Sequence, residues 1–222
     1  MKTIPLTAYP ADTLETLLSG IPLYKDLMLE SREQTDTLLR YSRVFEPAPG
    51  EVVMRKGERA ETFYFLLKGQ LVVYPDGDLA RPAVNYLSAG QVFGALSLLC
   101  RTPRTATIVA DPKVSKVMLF GTDFSPFGDL TNFTRIKLST KLAFWRMVAH
   151  NTRWKLEVYR MEHPNHPLAQ ELRQVEIFRG EKNSVEELQS LDRQIWQLTD
   201  ILLQWNEVLS VSHQDRSDSE TL

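Results

Sequence analysis

The chain has 222 residues, 43% of them hydrophobic and 24% charged, with a formal net charge of -2. That suits one sizeable folded unit with an extension, and it excludes a polyanion binder acting through bulk charge. A single cysteine, Cys100, excludes an internal disulfide and fits a reducing compartment; no run approaches the roughly 20 apolar residues of a membrane span, and Met1 to Leu6 has no apolar stretch of signal-peptide length, so a cytoplasmic protein away from the membrane is expected.

Residues 1–47 read as helices with breaks. Asp12 is placed to cap a short helix carrying Leu14, Leu17 and Leu18, which Gly20-Ile21-Pro22 stops. Ser31 is placed to cap a second helix, with Leu38 and Leu39 as its apolar face. From Pro49 the texture changes: six of the ten glycines fall between Gly50 and Gly94, separated by short apolar runs at 52–54, 63–67, 71–74 and 84–87. Further runs lie at 106–109 and 117–120. Short β-rich runs bounded by turns indicate an antiparallel sandwich or barrel over 48–130. Pro75-Asp76-Gly77 is a strong turn signal, and Gly57 and Gly69 suit positions that need φ > 0.

A long basic helix is expected over 131–162. Between Phe133 and Arg160 there is no Gly or Pro, and Leu138, Leu142, Trp145, Ala149, Thr152, Leu156 and Tyr159 fall on one face. His163-Pro164-Asn165-His166-Pro167 ends it, because Pro cannot continue a helix. A helical extension follows over 163–211. Its first helix carries Leu168, Leu172, Val175 and Phe178 and stops at Gly180. Ser184 and Glu187 then have the form of a capping box. They open a heptad stripe of Leu188, Leu191, Ile195, Leu198, Leu202, Trp205 and Leu209, which Trp196, Ile201 and Val208 widen; a coiled coil or a bundle can bury it. Residues 212–222 are polar and read as a disordered tail. Residues 131–162 hold seven Lys/Arg against two Asp/Glu, and residues 163–222 hold five against eleven. Either two solvated helix faces or an acidic tail packed on the basic helix accounts for that asymmetry.

The segment from Phe93 to Thr107 carries the chemistry. A Gly94 turn leads into a short apolar helix, and Pro103-Arg104-Thr105-Ala106-Thr107 leads into a strand. Backbone N–H groups at a helix start cradle an anion, and a single Arg neutralises it, so the arrangement suits a small cyclic phosphate. The pair His163 and His166 lacks the spacing and further ligands of a metal site and reads as an exposed loop. Cys100 reads as a buried apolar thiol. No nucleophile–base motif or Walker-type loop appears, and catalysis is not expected.

These residues together resemble the cyclic-nucleotide-binding domain family, whose members include catabolite activator proteins, protein kinase A regulatory subunits and gated ion channels. The resemblance covers roughly residues 17–159. It rests on Pro49-Gly50-Glu51-Val52-Val53, on Lys56-Gly57-Glu58-Arg59-Ala60-Glu61-Thr62-Phe63-Tyr64, on Leu66-Leu67-Lys68-Gly69-Gln70-Leu71, and on the cassette residues Phe93, Gly94, Leu96, Leu98, Arg104, Thr105 and Ala106. It implies an α+β fold: an antiparallel β-roll, or jelly-roll barrel, with N-terminal helices and a C-terminal helical extension. It also implies that Arg104 pairs with the cyclic phosphate, with backbone around Leu96, Ser97, Leu98 and Thr105 completing the cradle. The family's Glu, which accepts from the ribose 2′-hydroxyl, is Ala95 here, and its small residue two positions on is Ser97. A hydrogen bond to a charged group contributes roughly 1.5–3 kcal/mol, so its loss weakens binding by about one to two orders of magnitude.

By the same resemblance the long helix supplies base contacts, here near His150 and Asn151, with Trp145 or Trp154 to stack; Trp145 reads equally as core or dimer interface. Residues 180–210 show no winged helix and carry the wrong net sign for phosphate backbones, so DNA is not an expected partner. The expectation is a non-catalytic regulatory or sensor protein needing no cofactor, binding cAMP or cGMP weakly or in altered form. It would signal through its C-terminal helices, as a homodimer through the long helix and the heptad helix, to a protein partner at those helices. The alternatives are a ligand-independent interaction scaffold and a cyclic di-GMP receptor.

Overall fold

Turn-bounded strands pair into two antiparallel sheets in the computed structural model, which describes residues 1–80 and 85–219, with side chains as far as Leu209. One sheet has the order β1 (Lys2–Ile4), β2 (Ser42–Glu46), β9 (Met118–Asp123), β4 (Thr62–Lys68) and β7 (Val92–Phe93). The other has the order β3 (Val52–Met54), β8 (Thr107–Ala110), β5 (Gln70–Tyr74) and β6 (Asn85–Ser88). The expected α+β class and antiparallel β-roll are what the chain adopts. Val84, expected to open the β6 run, lies outside the described residues. The turn between β4 and β5 requires glycine: Gly69 has φ +92°, and a Cβ there would sit 2.6 Å from the carbonyl oxygen of Lys116.

The first 47 residues are not purely helical. β1 pairs with β2, with Lys2 opposite Glu46 and Ile4 opposite Val44. A three-residue edge strand is too short for its alternation to register in sequence. Three helices lie between them: α1 (Ala11–Ser19), α2 (Pro22–Glu30) and α3 (Arg32–Arg40). α1 stops at Gly20-Ile21-Pro22 as expected, and Pro22 also begins α2 at the first helical position, where its missing N–H has no intrahelical partner to lose. Ser31 caps α3 as expected, its Oγ accepting from the Gln34 N–H at 3.4 Å. Tyr24 of α2 is fully buried, bonded to Ser42 Oγ at 3.0 Å and Thr122 Oγ1 at 2.8 Å, and burial pushes its hydroxyl up to about 12.

The cassette helix α4 (Ala95–Leu99) is followed, after the roll, by α5 (Leu138–Glu162), α6 (Pro167–Gln174) and α7 (Val185–Ser219). α5 starts later than the expected 131. Asp129 Oδ1 accepts from the Thr131 N–H at 2.9 Å and Asn132 Oδ1 from the Thr134 N–H at 3.0 Å. These side chains compete with the helical ladder and hold 129–134 in turns. α7 runs to Ser219, past the residue 212 boundary of the expected disordered tail, with no Gly or Pro after Gly180 to stop it; residues 220–222 lie outside the described residues.

α5 and α7 lie side by side and run in the same direction. Near their starts Arg146 grips both Glu187 oxygens along one guanidinium edge, Nε to Oε1 at 3.0 Å and Nη2 to Oε2 at 2.6 Å, and Trp145 Nε1 donates to Asp192 Oδ1 at 3.0 Å. Near the end of α5 the ring of Tyr159 lies 5.8 Å from that of Trp205, in the middle of α7. The Arg146 hydrogen bonds draw the Glu187 carboxyl below its usual range. Glu187 N–H also donates to Ser184 Oγ at 3.1 Å, the expected cap, while Glu187 Oε2 accepts from Asn183 N–H at 2.7 Å. The acidic segment therefore does pack on the basic helix.

The heptad stripe is buried within the chain. Leu188, Ile195, Leu198, Leu202 and Trp205 share one core cluster with Leu142, Trp145, Ala149, Leu156 and Tyr159, and burial of each large apolar side chain contributes roughly 1.5–3 kcal/mol. Of the two expected ways to bury the stripe, the bundle is the one adopted: it is covered by α4, α5 and α6 of the same chain. Trp196 is exposed outside the stripe.

Lys155, partly buried on α5, has its Nζ 5.7 Å from the centre of the Tyr159 ring, and burial draws it down from 10.5 to about 8. Below pH 8 it is protonated folded and unfolded, and its buried charge opposes folding. Between about 8 and 10.5 the unfolded chain holds more protons, so this group's contribution to stability rises with pH. Lys155→Met is expected to be more stable than the parent at pH 7, with the advantage shrinking as pH rises through that window. Melting curves of both proteins across pH 7 to about 10.5 test this; a pH-independent gap would refute it.

Candidate functional site

The cassette folds as its residue types dictate. Gly94 is left-handed, φ +74°, and N-caps α4. A Cβ there would lie 2.8 Å from Arg104 Nη1 and 3.1 Å from Met54 Cε, so only glycine lets the two segments close. α4 ends in a Schellman turn: Arg101 N–H donates to Leu98 C=O at 3.3 Å, and Thr102 N–H donates to Ser97 C=O at 2.9 Å. The residue that must be left-handed is Arg101, φ +51°, where glycine is usual.

Arg104 is only 6% exposed. Its Nη1 donates to Gly94 C=O and its Nη2 to Thr62 C=O, both at 2.6 Å. Its own backbone is pinned as well, the N–H donating to Glu58 C=O and the C=O accepting from Gly57 N–H, each at 2.8 Å. Burial draws the guanidinium below its ordinary range, opposed by the nearby Tyr64 and Glu58. It remains a cation and acts as a brace between β4 and the cassette.

A cleft of 630 Å³ opens beside this brace. The roll contributes Lys56, Gly57, Pro75, Asp76, Thr102, Pro103, Arg104 and Thr105, and α7 contributes Leu203, Asn206 and Glu207. Its volume is in the usual range for a small-molecule site, about 300–1,000 Å³.

Of the residues expected at a nucleotide site, Arg104 and Thr105 border this cleft. Phe93 is buried and stacked on Tyr64, ring centres 5.3 Å apart. Ala95 is 3% exposed and belongs to the larger core cluster, as does Leu98. Ser97 is buried, Leu96 packs partly buried on the larger cluster and Ala106 on the smaller. His150 and Asn151 are exposed on α5 and do not border the cleft. The α5 face that carries Leu142, Trp145, Ala149, Thr152 and Leu156 is buried, which turns His150 and Asn151 outward. Trp145 is core, and Trp154 is 63% exposed.

Sequence reasoning missed Lys56, Thr102 and the α7 wall. Lys56 stood within a quoted motif without a role. Leu203, Asn206 and Glu207 flank the heptad stripe, and only the docked position of α7 reveals them. α4 reaches α7 directly: the Cys100 thiol, pushed up by burial, lies 3.5 Å from Thr199 Oγ1. His166 Nδ1 accepts from Leu168 N–H at 3.3 Å and so caps α6. The His166 and His163 rings lie 4.6 and 5.5 Å from the Trp205 ring. Among the described residues no group of three metal-type ligands occurs, and no helix is long and apolar enough to cross a membrane.

Residues 45–127 match the sequence family described as cyclic nucleotide-binding domain. The chain is 33% identical over 104 residues to the cAMP-dependent protein kinase type II regulatory subunit of Drosophila melanogaster, covering 46% of this chain and 26% of that protein. It is 30% identical over 112 residues to a cyclic nucleotide-gated potassium channel of Rhizobium etli, covering 49% and 28%. It thus spans about a quarter of the length of the curated relatives it matches. Among solved structures it is similar to cAMP-bound PfPKA-R, 25% identical over 52% of this chain and 38% of that one, with a TM-score of 0.43.

Arg104→Ala is expected to destabilise the fold by about 3 kcal/mol, since two charge-assisted bonds are lost and two carbonyls lose their donor. Gly94→Ala is expected to act in the same direction through its clash with Arg104. Denaturant unfolding of each variant measures this; an Arg104→Ala protein as stable as the parent would remove the brace from the account.

Proposed function

Because residues 45–127 form a domain of the cyclic nucleotide-binding family, we propose that the chain is a non-catalytic regulatory module. It takes a cyclic mononucleotide, cAMP or cGMP, weakly in the cleft between the roll and α7. One observation carries this reading: the cleft is walled by the cassette's Arg104 and Thr105 on one side and by α7 on the other. Whatever fills it touches the fold and the helical extension at once. Since α7 also packs on α4 and α5, a ligand that prefers one seat of α7 over another transmits that preference to the extension.

Weak affinity follows from two features. No carboxylate stands at position 95, and the Arg104 guanidinium already serves Gly94 and Thr62. Output goes to a protein partner at the C-terminal part of the chain, where Trp154, Met161, Ile177 and Trp196 stand exposed. A second copy of the chain, where one pairs, uses the outer face of α5, which presents Trp154 and Met161.

The second reading is a ligand-independent scaffold. The same Arg104 bonds and the burial of Ala95 favour it, because both close the cassette without a ligand.

Calorimetric titration with cAMP, cGMP and cyclic di-GMP separates the two. Weak, saturable heat with a cyclic mononucleotide is expected. No heat with any of the three at millimolar ligand hands the function to the scaffold reading, and binding of cyclic di-GMP alone assigns the cleft to a dinucleotide.

A further inference from the structure

A phosphate needs a cation that can turn toward it. Arg104 is poorly placed to do so: two of its nitrogens end on carbonyl oxygens at 2.6 Å, and it is 6% exposed. Swinging it into the cleft breaks both bonds and leaves two carbonyls without that donor.

Lys56 borders the same cleft and is exposed. It is also positioned. Its backbone N–H donates to Thr107 Oγ1 at 3.1 Å. A Cβ built on Gly77 would lie 3.4 Å from Lys56 Cβ and 3.7 Å from Lys56 Cδ, so the aliphatic stem runs along the Pro75-Asp76-Gly77 turn. An ammonium on such a stem offers three donors and no acceptor, and it can turn to an anion without giving up a buried brace.

The cleft is chemically two-sided. Lys56, Thr102, Thr105 and Asp76, whose Oδ1 accepts from the Asp78 N–H at 3.1 Å, line the roll side, and the exposed Glu207 lines the α7 side. We propose that Lys56, not Arg104, holds the phosphate of the ligand in this cleft, with Thr102 and Thr105 beside it. Glu207 of α7 then accepts from hydroxyl or amino donors at the other end of the ligand. The ligand class is a phosphate ester of nucleotide size with donors remote from its phosphate. The inference rests on the cleft being the ligand site.

Equilibrium titration of the full chain with cAMP and with non-cyclic 5′-AMP tests it, on the parent, Lys56→Gln and Arg104→Lys, with melting curves run alongside. Lys56→Gln is expected to lose at least about tenfold in affinity with an unchanged melting temperature, the loss of one charge-assisted contact. Arg104→Lys is expected to melt lower while keeping its affinity below the melt. Parent binding of cAMP that Lys56→Gln leaves unchanged overturns the Lys56 assignment and leaves the proposed function standing. Binding of 5′-AMP alone, lost in Lys56→Gln, supports the assignment and overturns the cyclic-nucleotide reading. A parent that binds neither ligand overturns both.

Discussion

The closure of Arg104 on the carbonyls of Thr62 and Gly94 sets the geometry around the cleft. Thr62 opens β4, and Gly94 caps α4, so one buried cation joins a central strand to the cassette. A guanidinium with donors on both edges is the side chain that can serve two carbonyls on separate segments. The left-handed Gly94 lets it come close, and a Cβ would push it out. What is then left to face a ligand is a rim made of Lys56, Thr102, Thr105 and the Pro75-Asp76-Gly77 turn.

The second constraint is the packing of α7. Its apolar stripe is too wide to leave wet, and α5 presents a complementary face beside it. Arg146 and Glu187 orient the pair near its start, and Tyr159 with Trp205 closes it where α5 ends. Because α6 runs back between them in sequence, α5 and α7 point the same way, and α7 passes over the mouth of the cassette. The roof of the cleft is therefore α7. The same helix meets α4 at Cys100 and Thr199, so the cleft, the cassette and the extension share one element.

Much of this was legible in the residues. The glycine-punctuated runs marked the roll, the Ser31 cap marked α3, and the 3.6-residue spacing from Leu142 to Tyr159 marked the buried face of α5. The opposed charges of the middle and the tail left a packed pair such as Arg146–Glu187 as one of two readings. What stayed illegible had physical causes. β1 is too short to show alternation. Pro22 begins a helix as readily as it ends one, and local side-chain turns at Asp129 and Asn132 delayed α5. The resemblance puts His150 and Asn151 near a base, whereas both stand exposed on α5 and away from the cleft.

The sequence by itself determined the strand-and-turn pattern of the roll, the helical faces and the chemistry available at the cassette, because periodicity, glycine and proline act locally. Tertiary structure decided where that chemistry points. It turned Arg104 inward onto two carbonyls, buried Ala95 in the core, left Lys56 on the rim and laid α7 across it. These outcomes depend on which segments meet in space, and long-range packing and the competition for one cation's donors have no local signature along the chain.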